Sequence, residues 1–240
     1  MLRLAPQNVE GVTALIPNMR LGVISDIHAN RVALDAVMDA MPNVEYLVCA
    51  GDVIGYNPQP SECVEAVRDS IPCVQGNHDR AIDAPEQYRS NEMAYEGLRY
   101  AADRLSEEQR EWLRTLPESR SLFEGRVRVI HSHPSDRGQY VWPARFPSLE
   151  PYLTENAEDV LILGHTHVQH HAMVGDTLVV NPGSVGQPRD NDPRAAFAVI
   201  ELDDRTVEEH RTEYDIECVK DAIDNAELPQ RTGRRLEVGS

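Results

Sequence analysis

The stretch LGVISDIHANRVALDAVMDAMPNVEYLVCAGD, residues 21–52, decides the fold. It opens with LGVIS and closes on YLVCA at 46–50, two short β-branched apolar runs of strand length. Between them, NRVALDAVMDAM distributes Val32, Leu34, Val37, Met38 and Met41 at helical spacing. A strand, a helix and a second strand in succession imply a parallel βαβ unit, so the chain begins as an α/β protein. Each run also ends on polar side chains, SDIH after the first and GD after the second.

Further strand-like runs follow: PCVQ at 72–75, VRVI at 127–130, VLIL at 160–163, TLVV at 177–180 and AFAVIEL at 196–202. SECVEAVRDS reads as a helix after a Pro-Ser start. Ser106 and Gln109 make a capping-box signature ahead of REWLRTL, which Pro117 closes. The close spacing of the later strands predicts a more antiparallel second half. Here too the runs end on polar groups: GNHD at 76–79, HSH at 131–133 and GHTH at 164–167. In an open α/β sheet the carboxyl ends of the strands line the ligand crevice, so the five groups are expected to converge. Gly51, Gly76 and Gly164 precede the polar residues, where a missing side chain permits tight turns and close packing.

Asp26, His28, Asp52, Asn77, His131, His165 and His167 offer oxygen and imidazole nitrogen without a thiolate. That mixture suits Mn, Fe, Zn, Co or Ni better than a thiolate zinc site or an all-oxygen calcium cage. Seven donors are too many for one catalytic ion with open positions and about right for two, with a carboxylate such as Asp52 able to bridge. Any one of these residues alone reads as a turn former or a solvated group; the ordered set points to metal. His170 and His171 read as hairpin surface, Gly175-Asp176 as a hairpin turn, and NPGS at 181–184 as a turn using the φ freedom of Gly183. Arg80 and Arg189 are candidates to grip phosphate, and Tyr56 to stack on a base.

The set D-x-H, GD, GNHD, H and GHTH, in this order from about Met19 to Glu201, resembles the calcineurin-like metallophosphoesterase superfamily. NPGSVGQPRDNDPRAAF and GYNPQPSECVEAVR are similar to its small single-domain prokaryotic branch of phosphodiesterases and diadenosine tetraphosphatase relatives. The resemblance implies a four-layer α/β/β/α sandwich of two mixed sheets, with the metal site at the carboxyl ends of the strands. It implies that Asp26, His28 and His167 hold one ion, that Asn77, His131 and His165 hold the other, and that Asp52 bridges them. His78 matches the catalytic histidine, and Asp79 is expected to orient it or a neighbouring turn. The implied reaction is attack of a metal-bridging hydroxide on a small phosphodiester or nucleotide. The alternatives are a phosphomonoesterase or protein phosphatase, or a metal-poor interaction scaffold on the same fold. Ser132 stands where the family usually has glycine after the fourth-strand histidine, and a positive φ there would strain it. His133 is a candidate substrate contact or replacement ligand.

At 240 residues the chain has room for one full domain. The expected boundaries are an extension at 1–18, a metallophosphoesterase domain at 19–225 with a helical cap at about 83–123, and a tail at 226–240. No run approaches the roughly 20 apolar residues that cross a bilayer, and a cytoplasmic protein is expected. Cys49, Cys63, Cys73 and Cys218 lack C-x-x-C spacing and read as free thiols. Asp and Glu outnumber Lys and Arg 40 to 23, giving a net charge of −17, and Lys220 is the only lysine. Such diffuse acidity suits a salt-rich, halophilic cytoplasm. It argues against a stable nucleic-acid complex, which needs clustered cations. Two divalent ions are expected, Mn ahead of Ni, Co, Fe or Zn, and a homodimer is the base-rate expectation.

Overall fold

The computed structural model describes residues 19–153 and 158–240; the extension expected at 1–18 lies outside them. Strand β1 (Arg20–Ile24), helix α1 (Arg31–Ala40) and strand β2 (Tyr46–Cys49) form the expected parallel unit, with Val23 opposite Val48. Asn30 starts α1 by accepting from the Ala33 N–H at 3.0 Å, as N-cap residues do. Leu34 and Val37 face the sheet, Met38 and Met41 pack at its margin, and Val32 turns to a different cluster described below.

Helices α2 (Pro60–Arg68), α3 (Asn77–Arg80), α4 (Glu92–Arg104) and α5 (Glu107–Thr115) follow. The capping box at Ser106 and Gln109 is formed in both directions. Strands β3 (Ser119–Leu122) and β4 (Val127–Ile130), helix α6 (Glu150–Leu153), and strands β5 (Val160–Ile162), β6 (His170–Val174) and β7 (Thr177–Asn181) come next. Strands β8 (Ala195–Glu201) and β9 (Thr206–Thr212) precede helices α7 (Ile216–Asn225) and α8 (Gln230–Leu236).

The strands make two mixed sheets, ordered β2-β1-β8-β9 and β3-β4-β5-β7-β6. In the first, β8 runs antiparallel to both β1 and β9; in the second, β4, β5 and β7 are parallel and β3 and β6 are antiparallel edges. Strand alternation sends Leu21, Val23, Val48, Ala198 and Ile200 inward from one sheet. Val127, Val129, Val160, Ile162, Leu178 and Val180 meet them from the other. Each such buried Val, Leu or Ile side chain stabilises by about 1.5–3 kcal/mol. Outside the first sheet, Ile24, Leu47, Phe197 and Val199 pack under Leu34, Val37, Val64, Val67, Leu98 and Leu113 of the helices. Outside the second, Leu161 and Val179 lie beneath Phe146, Leu149 and Leu153. The result is the four-layer α/β/β/α order.

Several elements differ from expectation. Residues 72–75 contribute only an isolated bridge, Cys73 to Cys49, because Pro72 interrupts the run and α3 begins two residues beyond it. The segment 83–123 contains β3 as well as helices, and α4 and α5 join the layer over the first sheet. Where a tail is expected at 226–240, the chain forms α8, whose Leu236 packs with Val219 and Ile223 of α7, Leu228 and Val32. All four cysteines are free, with Cys218 alone exposed. Among the described residues no helix is long and apolar enough to cross a membrane.

Candidate metal centre

Two loops interlock where β1 and β2 end. The Asp26 N–H donates to the Gly51 carbonyl at 2.9 Å, His28 to Asp52 at 3.0 Å and Ala29 to Val53 at 2.8 Å. The geometry forces non-glycine residues into the left-handed region: Asp26 has φ 53°, His28 48°, Asp52 55°, His165 69° and His167 59°. Such conformations cost of order 1–3 kcal/mol each and cluster at functional sites. Ser132 stays outside that region, so serine there introduces no backbone strain.

The strand ends converge as expected. Asp26, His28 and His167 form one buried group, Asp52, His131 and His165 another, and His28, Asp52 and His78 a third that overlaps both; within each group the donor atoms lie within 4.8 Å. Asn77 joins through Oδ1, 3.1 Å from His131 Nε2, while its Nδ2 donates to the Tyr88 hydroxyl at 2.6 Å. The gap between strands is narrow: a Cβ on Gly76 would stand 2.0 Å from Asp52 Oδ1, and one on Gly164 2.2 Å from Ser25 Oγ.

Three histidines are held by backbone carbonyls. His28 Nδ1 faces Ile54 O at 3.0 Å, His131 Nδ1 faces Ala50 O at 2.7 Å and His167 Nδ1 faces Gln187 O at 2.6 Å. Each contact fixes the Nδ1–H tautomer and turns Nε2 inward. The His28 and His167 Nε2 atoms consequently meet lone pair to lone pair at 3.1 Å, with Asp26 Oδ1 at 3.7 and 3.2 Å. Asp26 Oδ2 is already committed to Ser25 Oγ at 2.6 Å and the His165 N–H at 3.0 Å. Asp26 Oδ1, His165 Nε2 and His78 Nδ1 are buried without a hydrogen bond among the described residues. Electron-rich atoms so arranged are costly unless a cation joins them, so the residues fit divalent metal.

The charges agree. Burial opposes ionisation of Asp26 and Asp52, yet the His167 ring beside the first and the His131 and His78 rings beside the second hold both carboxyls well below the usual range. Burial also opposes charge on His131, but Asp52 and Asp26 push it up to about 10. His28 falls well below its ordinary value through burial and His167, and His165 and His78 fall to about 4, again chiefly through burial.

Asp79 acts on the loop rather than on His78. Its carboxylate accepts from the N–H groups of Asp52 at 2.8 Å, Val53 at 2.9 Å, Ile54 at 3.3 Å and Gly76 at 3.0 Å. The His78 N–H donates to Asp52 Oδ1 at 2.8 Å, and its ring lies 4.8 Å from Tyr56 and 4.9 Å from Tyr88.

Arg80 and His133 line a cavity of about 110 Å³ that adjoins Asn77 and His131, together with Arg128 and Arg137. His133 is therefore beside the donor cluster, not within it. Arg189 lies elsewhere, 5.6 Å over the Tyr56 ring and 3.1 Å from its hydroxyl. Sequence reasoning missed Tyr88, Arg137 and the brace at 184–187. There Ser184 Oγ donates to Asp26 O at 2.7 Å, and a Cβ on Gly186 would stand 1.8 Å from Ile27 O. The expected turn at 181–184, with Gly183 at φ 80°, and the family-like stretch NPGSVGQPRD around it were visible, but the contacts they make were not.

Nitrogen and oxygen donors gathered at the strand ends of a layered double sheet make a candidate metal centre. The model of the calcineurin-like phosphoesterase superfamily domain matches residues 19–205, and the chain belongs to that family of metallophosphoesterases. Uncharacterized protein MJ0912 of Methanocaldococcus jannaschii is 32% identical over 91% of this chain and 98% of its own length. Phosphodiesterase YfcE of Escherichia coli is 27% identical over 79% of this chain and 95% of its own. The crystal structure of a metallophosphoesterase from Sphaerobacter thermophilus matches with a TM-score of 0.78 and 33% identity. It covers 93% of this chain and 100% of that one.

Proposed function

We propose that the protein is a dinuclear metal-dependent phosphoesterase acting on small phosphodiesters or nucleotides in a salt-rich cytoplasm. The observation that carries this reading is the position of Asp52 Oδ2, 3.7 Å from His28 Nε2 and 3.4 Å from His131 Nε2. One carboxylate oxygen thus serves two donor sets: Asp26, His28 and His167 on one side, Asn77, His131 and His165 on the other. Two divalent ions held there, manganese foremost, would supply an activated water and neutralise charge on the phosphoryl oxygens. Asp79 keeps the Asp52 loop closed so that both sets keep their spacing. His78, between Tyr56 and Tyr88, is kept neutral by burial and stabilises charge on the leaving oxygen through a ring N–H hydrogen bond. Arg80, Arg137 and His133 grip the phosphate from the adjoining cavity, and Arg189 does so from the Tyr56 side. Small substrates agree with the resemblance to a phosphodiesterase and with that modest cavity.

The test is hydrolysis of an aryl phosphodiester and its monoester by metal-stripped protein in high salt, with Mn, Ni, Co, Zn or Mg restored. A transition metal should restore turnover. His78→Ala should lower kcat by about 10²-fold or more while keeping its metal, and Asp52→Asn should lose metal and turnover together. A protein that binds no metal would overturn the reading in favour of an interaction scaffold.

A further inference from the structure

Helix α8 carries Arg231, Arg234 and Arg235, which with Ser240 line an open depression of about 710 Å³. The chain just after α8 docks on the loop that follows Arg189: the Asn191 N–H donates to the Gly239 carbonyl at 2.8 Å, and a Cβ on Gly239 would stand 2.5 Å from the Asp192 carbonyl carbon. That contact brings Arg235 beside Arg189. In a chain of net charge −17 such a gathering of cations calls for a cause. The carboxylates of the same segments are occupied elsewhere, Asp190 by Arg211, Asp192 by Arg194 and Glu237 by Lys220. Among the described residues Arg189, Arg231, Arg234 and Arg235 form no ion pair: Arg189 donates to the neutral Gln187 Oε1 and the Tyr56 hydroxyl, and Arg235 Nε to the Ser240 carbonyl.

Guanidinium groups brought together without a counter-ion repel one another. Arg235 is half-buried, and burial first, then the neighbouring Arg189 charge, lower its pKa from the ordinary value. An anion between the two relieves both effects. Gln187, its Oε1 taken by Arg189, has a buried Nε2 that lacks an acceptor among the described residues. The cluster also adjoins the reaction site. The Arg189 N–H donates to the His167 carbonyl at 3.2 Å. Its guanidinium lies 5.6 Å from the centre of the Tyr56 ring, and that ring is 4.8 Å from both His28 and His78. One ring's width therefore separates Arg189 from the donor cluster, a gap that one sugar or one further phosphate link spans.

We propose that Arg189 and Arg235, with Arg231 at the outer edge, form a subsite for a second phosphate. The substrate is a phosphoester that carries another phosphate beyond the reacting one; the inference rests on the phosphoesterase reading above. Arginine suits the task because its planar fork matches phosphate oxygens two at a time. Substrate choice is thus set partly by α8, which lies beyond the residues that the family model matches.

The probes are thymidine 5′-(4-nitrophenyl phosphate) and the same ester carrying a 3′-phosphate. With manganese, wild-type protein should show the higher kcat/KM on the second. The ratio between the two should fall about tenfold or more in Arg235→Gln and by less in Arg231→Gln. Part of it should return in Arg235→Lys, which keeps the charge without the fork. Arg231 is exposed, so its variant carries the test should Arg235→Gln misfold. Metal-stripped protein gives a second readout: in calorimetric titration, inorganic tripolyphosphate should bind wild type more tightly than either glutamine variant. A wild-type ratio at or below one, a ratio unchanged in both variants, or equal tripolyphosphate binding by all three proteins would overturn the subsite. A wild-type protein that hydrolyses neither ester would instead overturn the phosphoesterase reading, and tripolyphosphate binding would then decide the subsite.

Discussion

Asp79 shows how a residue that touches no substrate can govern the site. Four backbone N–H groups converge on its carboxylate, and asparagine would replace one acceptor oxygen with a donor facing donors. Asp79→Asn should destabilise the metal-free protein by on the order of 3 kcal/mol and weaken metal binding although no donor is removed. Denaturant unfolding checks the first expectation, and an unchanged midpoint would contradict it. The polar side chains that the fold gathers at the strand ends were legible in sequence because side-chain chemistry is written there residue by residue. The carbonyls of Ala50, Ile54 and Gln187, which aim three of the imidazoles, were not, because every residue has a carbonyl and only the fold selects which one points inward. The left-handed φ values of Asp26, His28, Asp52, His165 and His167 were hidden for a related reason: none is glycine, so nothing in the sequence marks those positions as strained.

At the level of elements, the site depends on how closely the strand ends approach. A methyl group on Gly164 would stand 2.2 Å from Ser25 Oγ and 2.9 Å from Asp26 Oδ2, so Gly164→Ala must separate the loops after β1 and β5. We expect manganese affinity, measured by calorimetric titration, to fall at least about tenfold; wild-type affinity would show that the loops adapt. Buried strands such as β4, β5 and β7 were readable as continuous apolar runs. Strands β3, β6 and β9 were not, because SRSL, HHAMV and TVEEHRT alternate or lack apolar residues. All three are sheet edges, where polar and charged side chains discourage pairing with another chain. The expected hairpin at Gly175-Asp176 is present, joining β6 to β7. His171 in β6 is exposed and His170 half-buried, close to the surface role read for them.

For the whole molecule, the chain beyond residue 205 matters more than its polar sequence suggests. RTGRR reads as a tail because its inward residues are Thr232 and Gly233, neither of which signals a core; Leu236 completes the buried face. Leu236 is fully buried against α7, so Leu236→Ala should destabilise the protein by about 2–5 kcal/mol, measured by denaturant unfolding. A change within a few tenths would mean that α8 contributes nothing to the domain. The layered fold, by contrast, was legible from the strand–helix order of residues 21–52 and the family resemblance of the motifs after it.

The central claim is that two ions, sharing Asp52, are required for hydrolysis. It is tested most directly by titrating stripped protein with manganese and following turnover of an aryl phosphodiester. Turnover should reach its plateau at two equivalents per chain and should not appear in Asp52→Asn. Full turnover at one equivalent, or without added metal, would contradict the account.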